Sequence, residues 1–192
     1  MADLIEIRWH GRGGQGAKTA ALLFGEALLE QGKYIQAFPE YGPERMGAPV
    51  QAFNRISDFP ILLHCHITEP SIVVVLDTTL INKVNVLSGL SLDGILIVNT
   101  HNSPLELREK NKIEGRKIFT IDASKISKEC LGQEIPNTTM MGALIKISGL
   151  IKIEELLKNT QKKLEKKFKT KLDVIEGNLN AIKRAYEEVI VE

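Results

Sequence analysis

Trp9-His10-Gly11-Arg12-Gly13-Gly14-Gln15-Gly16 stands between an apolar run at Leu4, Ile5, Ile7 and Trp9 and a helix-forming run from Ala17 to Glu30. The first run predicts a strand and the second a helix, so the order is strand, tight loop, helix. Gly11, Gly13 and Gly16 have the G-x-G-x-x-G spacing in that setting. Without Cβ atoms the backbone turns tightly and lets a phosphate approach the free amides at the helix start, where the helix dipole adds attraction. An anion is therefore the natural ligand, with Lys18 and Thr19 following at the helix start. The spacing lacks the four residues between glycines of a P-loop, which argues against ATP hydrolysis. A glycine turn that merely packs helix on sheet is the bland alternative; four glycines in the six residues from Gly11 to Gly16 favour contact with a ligand or partner.

Gly32 then sits where a helix C-terminus wants a left-handed residue, and Tyr34 to Phe38 reads as the next strand. Val50 to Ile56 is a third strand. Ile72 to Leu76 is a continuous apolar run typical of a strand buried on both faces, and Gly94 to Asn99 repeats it. Thr78 to Leu90 is long enough for the helix that a parallel crossover demands. A helix from Ser103 to Lys112 and a strand from Lys117 to Ile121 follow. This alternation predicts a three-layer, Rossmann-like α/β fold: a mostly parallel sheet with helices on both faces.

From Pro136 the strand signal stops. Apolar residues at Ile153, Leu156, Leu157, Leu164 and Phe168, then Leu172, Ile175, Leu179, Ile182, Tyr186 and Val189, recur at spacings of three and four, the mark of amphipathic helices. These are expected to cap the same domain, so that residues 1–192 form one domain whose helical part begins near 138. A separate helical hairpin for partner binding is the other arrangement the pattern permits.

Among 192 residues, 25 are basic and 24 acidic, a balance without the strong positive field of a dedicated nucleic-acid binder. The lysine run from Lys152 to Lys171 has no arginine and a single aromatic, Phe168, and reads as a solvated helix face rather than an RNA or membrane surface. Two distant cysteines, Cys65 and Cys130, argue against a disulfide framework and against an iron–sulfur or zinc cage, which fits a reducing compartment. The N-terminus shows neither a signal-peptide pattern nor a long apolar span, so a cytoplasmic location is expected. His64-Cys65-His66 invites a metal reading, but adjacent side chains on an extended segment point to opposite faces.

The segment Pro39-Glu40-Tyr41-Gly42-Pro43-Glu44-Arg45-Met46-Gly47-Ala48-Pro49 holds three prolines and two glycines, which fix a shape. Following the second strand, it is expected at the C-terminal sheet edge beside the glycine loop, where open α/β sheets bind ligands. Arg45 is placed either to grip a phosphate or carboxylate bidentately or to pair with Glu40 or Glu44. Glu40, 24 residues beyond Gly16, stands near where a ribose-binding acid belongs, so a free-standing NAD-dependent oxidoreductase is an alternative. His10 either hydrogen-bonds a ligand or makes a structural bond. Asp77 reads first as a helix N-cap rather than a catalytic acid, and Asn137 and Thr138 read first as helix-start residues, with ligand contact as the alternative.

Trp9 to Gly16 and Ala37 to Pro49 resemble the gamma subunit of pyruvate:ferredoxin oxidoreductase, within the 2-oxoacid:ferredoxin oxidoreductase family. Ile135-Pro136-Asn137-Thr138-Thr139-Met140-Met141-Gly142-Ala143 also looks like that family, so the resemblance spans nearly the whole chain. Met46 departs from it, standing where many relatives carry a second arginine after the Glu-Arg pair. The resemblance implies a cytoplasmic complex with alpha, beta and delta subunits that forms acetyl-CoA, carbon dioxide and reduced ferredoxin. Thiamine diphosphate and iron–sulfur clusters are then expected on the partner subunits. This chain, inactive alone, is associated with coenzyme A. The residues expected to hold coenzyme A phosphates are Gly11, Arg12, Gly13, Gly14, Gln15 and Gly16, helped by Lys18, Thr19 and Arg45. A purely structural assembly role is the further alternative.

Overall fold

The computed structural model describes residues 4–40, 46–169 and 171–192. In chain order the elements are β1 (Ile5–Arg12), α1 (Ala17–Leu29), β2 (Tyr34–Pro39), β3 (Pro49–Ser57), β4 (Ile72–Val75), β5 (Ile95–Asn99), α2 (Pro104–Asn111), β6 (Lys117–Ile121), α3 (Ala123–Leu131), α4 (Asn137–Ser148), α5 (Ile153–Phe168), α6 (Leu172–Glu188) and β7 (Ile190–Val191). One sheet runs β2-β3-β1-β4-β5-β6-β7. β1, β4, β5 and β6 are mutually parallel, whereas β3 and β7 run against their neighbours. The α/β fold with a mostly parallel sheet and helices on both faces is as the sequence predicts.

Alternation along β1 divides the core in two. Ile7 and Trp9 face α1, α4 and α6 in a cluster with Phe24, Ile97, Met140 and Ile182. On the other side Val73, Val75, Leu96, Val98 and Ile118 meet Leu107 of α2 and Leu80, Val86 and Leu90. α4 is buried nearly all round, from Thr138 to Ile145, and the amphipathic α6 lays its apolar stripe against the same core. Trp9 is fully buried, packs edge-on against Phe24 at 6.2 Å between centroids, and donates its indole N–H to Asn54 Oδ1 at 2.8 Å.

Three departures from the sequence expectation have physical reasons. Thr78 to Leu90 is not a crossover helix but a short 3-10 turn (Thr78–Leu80) followed by further turns. Val84, Asn85 and Val86 disfavour helix, and Gly89 turns back at φ +71° against the carbonyl of Thr68. β3 lies antiparallel between β1 and β2, because the connection from Pro39 to Pro49 is too short for a helical crossover. β1 also continues through Gly11 and Arg12, which pair with Val50 and Pro49.

Candidate functional site

β1 delivers the glycine loop at the C-terminal sheet edge, and the described end of the proline segment lies against it. Gly13 donates its amide to Ala48 O at 2.9 Å, and Gly47 donates to Gly13 O at 3.1 Å. Gln15 donates its amide to Arg12 O at 2.9 Å, and its side-chain Oε1 accepts from the Arg12 amide at 2.8 Å. Gly47 and Ala48 of the proline segment thus lie beside the loop as expected, but three loop amides, those of Arg12, Gly13 and Gln15, are engaged internally. The remaining polar edge is Gly14, exposed at φ +98°, and the first turn of α1. That turn begins at Gly16 with φ 80° and has no side-chain cap. Arg45 and residues 41–44 lie outside the described residues; Met46 is almost wholly exposed.

Not every expected loop residue faces the same way. Gly11 is buried, and its missing Cβ leaves room for Leu76 and Ala17, so its smallness serves packing. Arg12 is half-buried and already satisfied. Its Nε donates to Asp77 Oδ2 at 2.8 Å, Nη1 to Gly47 O at 3.0 Å, and Nη2 to Thr79 Oγ1. Gln15 Nε2 also donates to Asp77 Oδ2, at 3.1 Å. Asp77 caps the following turn by accepting from Thr79 N at 2.9 Å, the role the sequence assigned it. This network crosses from β1 to β4, the point where the chain leaves for opposite faces of the sheet. A polar crevice of about 270 Å³ continues beyond it along β4 to β6, but Asp77 and Asp122 line it and disfavour a phosphate.

Burial raises the pull toward the neutral acid at Asp77, yet hydrogen bonds from Thr79, Gln15 and Arg12 outweigh it and hold the carboxyl below its ordinary 3.8. A depressed carboxylate stabilises the fold fully above that ordinary value and loses the contribution as pH falls below it. Asp77→Asn is therefore expected to lower stability by about 1 kcal/mol at neutral pH, read by urea unfolding. The difference from the parent should vanish below the carboxylate range.

The structure also brings the third resembling stretch to the loop. An added Cβ at Gly16 would meet Asn137 Nδ2 at 2.3 Å, so the Asn137 amide lies directly on the helix start. Asn137 Oδ1 accepts from Thr138 N at 2.7 Å, leaving the amide nitrogen turned toward Gly16. The sequence reads Asn137 first as a helix-start residue, with ligand contact as the alternative; the family-like pattern around it is the signal, and its contact with Gly16 appears only in three dimensions. Gly16→Ala is expected to cost about 1–3 kcal/mol, combining left-handed strain with this contact. The loss should shrink when Asn137→Ala is added, as a double-mutant cycle by denaturant unfolding would measure.

Lys18 is exposed on the first turn of α1, and Thr19 lines a cleft on the Asn137 side. His10 is buried and accepts at Nε2 from Arg8 Nε at 3.0 Å, while Arg8 also donates to Val86 O and Ser88 O. This is the structural alternative for His10. Burial, with Arg8 beside it, lowers its pKa to about 3. Glu40 follows the end of β2 at Pro39, with β3 interposed before β1, so it stands two strand spacings, about 10 Å, from the glycine strand. A ribose-binding acid needs to flank that strand directly. Among the described residues no cluster of three or more His, Cys, Asp or Glu has metal-binding geometry. Among the described residues no helix is long and apolar enough to cross a membrane.

Comparison with known proteins supplies the relationship that this geometry resembles. The family described as Pyruvate ferredoxin/flavodoxin oxidoreductase matches residues 6–188. The chain is 48% identical over 185 residues to pyruvate synthase subunit PorC of Thermotoga maritima, covering 96% of this chain and 94% of that protein. It is 46% identical over 188 residues to the pyruvate/ketoisovalerate oxidoreductases common subunit gamma of Pyrococcus furiosus, covering 98% of each. The crystal structure of pyruvate oxidoreductase subunit PORC from Thermotoga maritima superimposes with a TM-score of 0.85 at 44% identity, over 98% of both chains. With sequence and fold agreeing over nearly its full length, the chain belongs to the pyruvate ferredoxin/flavodoxin oxidoreductase family.

Proposed function

We propose that this chain, as one domain over residues 1–192, is the gamma-type subunit of a cytoplasmic 2-oxoacid:ferredoxin oxidoreductase that acts on pyruvate. It works with alpha, beta and delta partners to form acetyl-CoA, carbon dioxide and reduced ferredoxin. Thiamine diphosphate and iron–sulfur clusters reside on those partners, since two isolated cysteines give this chain no cluster-ligand set. Decarboxylation and electron transfer are the work of those groups, so the chain alone is inactive. Its own contribution is to bind and orient the anionic part of coenzyme A.

The observation that carries this reading is the contact between Asn137 and Gly16 at an uncapped helix start. There the α1 dipole, the exposed backbone at Gly14, the Asn137 amide and nearby Lys18 and Thr19 offer donors and positive potential to a phosphate. Gly11 and Arg12 support this edge from beneath, and Gly13 and Gln15 fix its shape. Arg45, within the proline segment of the sequence, is proposed to reach the same phosphate. The Pyrococcus furiosus relative is named as common to pyruvate and ketoisovalerate enzymes, which fits a subunit that handles the shared coenzyme and leaves substrate choice elsewhere.

Coenzyme A titrated into the purified chain is expected to stabilise it by about 2.7 kcal/mol at one hundred times the dissociation constant. NAD should have no such effect. Absence of stabilisation by coenzyme A in both the chain and the assembled complex would leave the purely structural role standing.

A further inference from the structure

A second concave feature lies beyond Thr19, on the side of α1 away from the β4–β6 crevice. It is a cleft of about 380 Å³, within the roughly 300–1,000 Å³ range of small-ligand pockets. Its walls come from α1, the connection into α4, the C-terminal half of α5, and the start of α6. Leu23, Leu131, Leu164, Phe168 and Val174 make these walls apolar. Lys163, Lys167 and Lys171 add three ammonium groups, and among the described residues no Asp or Glu lines the cleft.

The placement follows from the sequence. Lys163 and Lys167 are one turn apart on α5, on the side that also carries Leu164 and Phe168, and Lys171 continues the four-residue spacing just past the helix end. The lysine run therefore does more than solvate a helix: three of its members surround an apolar hollow. Lys163 Nζ lies 3.2 Å from Glu26, an exposed pair that a stronger anion can displace. Lys167 Nζ lies 5.3 Å from the centre of the Phe168 ring, which orients it without neutralising it. Asn137 and Thr138 bring the first turn of α4 into the wall. Thr138 donates to Asn178 Oδ1 at 2.7 Å, so the floor's buried polar groups are satisfied internally. Surplus positive charge at an apolar hollow selects ligands that join an anionic group to an apolar body.

We propose that this cleft binds a small amphipathic anion, its carboxylate, phosphate or sulfonate held by Lys167 and Lys171 and its apolar body laid against Leu164 and Phe168. This site is separate from the coenzyme A reading and does not depend on it; Asn137 and Thr19 stand at the boundary between the two.

The test uses the full chain and anilinonaphthalene sulfonate, an aromatic apolar body with one sulfonate. Saturable one-to-one binding is expected, with a fluorescence rise that weakens as salt increases. The double variant Lys167→Glu with Lys171→Glu, both at exposed positions, should weaken binding by about tenfold or more. Far-ultraviolet circular dichroism should show its fold intact, and its coenzyme A titration should match the parent's. Non-saturable binding, or affinity unchanged in the double variant, would overturn the proposal while leaving the coenzyme A reading untouched. Displacement of the dye on assembly of the complex would also overturn it, because the cleft would then be an interface for an acidic segment of a partner.

Discussion

Replacing Gly142 with valine is expected to reduce folding stability by about 3 kcal/mol or more. The reason is local. An added Cβ at Gly142 would meet Ile182 O at 2.1 Å and Tyr186 N at 3.1 Å, both of them backbone atoms of α6 that cannot swing away as a side chain tip would. α4 and α6 cross at a distance only a glycine allows, and through them Met140, Met141 and Ile182 reach Trp9 and Ile97. Valine must either push α6 outward or bend α4, and each choice opens voids in a close-packed core. Because Asn137 lies on the first turn of the same helix, the variant should also disturb the contact with Gly16. Urea unfolding of Gly142→Val against Gly149→Asn checks this. Gly149 ends α4 at φ 62° in open space, where asparagine should change stability by less than about 1 kcal/mol. Equal effects of the two substitutions would contradict the close-crossing argument.

Acidification is the second large lever, through His10. Burial, reinforced by the neighbouring Arg8 guanidinium, lowers its pKa from 6.5 to about 3. The unfolded chain therefore takes up a proton near pH 6.5 that the folded chain refuses until near pH 3. Stability from this group is full above 6.5 and is lost progressively as pH falls from 6.5 toward 3. The limiting slope is about 1.4 kcal/mol per pH unit, so about 2–3 kcal/mol should be gone by pH 4.5. His10→Gln keeps an acceptor for Arg8 Nε but has no proton to gain. Its stability should be nearly flat from pH 7 to 4.5 while the parent's declines. Parallel declines in the two proteins would show that His10 is not the group responsible.

The parts of the fold that were legible in the sequence are those where one physical signal dominates. Ile72–Val75 and Ile95–Val98 read as unbroken apolar runs and are almost wholly buried, and the helix expected from Ser103 starts there, with a capping box to Glu106. α3 escaped notice because it buries only Ala123, Ile126 and Ser127, a stripe too narrow and too polar to stand out in a Ser- and Lys-containing segment. β7 is two residues long and exists only by pairing with Phe119 and Thr120. The Thr78 to Leu90 stretch has apolar residues enough for a helix, but they anchor successive turns at Leu80, Val86 and Leu90 rather than one stripe.

The site was legible to the same degree. Glycines at 13, 14 and 16 mark the loop because Gly14 and Gly16 need positive φ and Gly16 needs room. The sequence could not separate them from Gly11, whose missing Cβ serves Leu76, nor reveal that Asp77 and Thr79 already hold Arg12. Charge pairing across sixty-odd residues has no local signature. Asn137 is the converse case: nothing in a helix-start asparagine distinguishes a cap from a group that reaches another helix's first turn.

Asn137→Asp tests the central claim most directly. The exchange is nearly isosteric and keeps the oxygen that accepts from Thr138 N, while replacing the amide donor beside Gly16 with negative charge. In the assembled oxidoreductase the KM for coenzyme A is predicted to rise by about tenfold or more, with the KM for the 2-oxoacid unchanged. A KM for coenzyme A equal to the parent's, in a complex of normal composition, would contradict the assignment of that edge to the coenzyme.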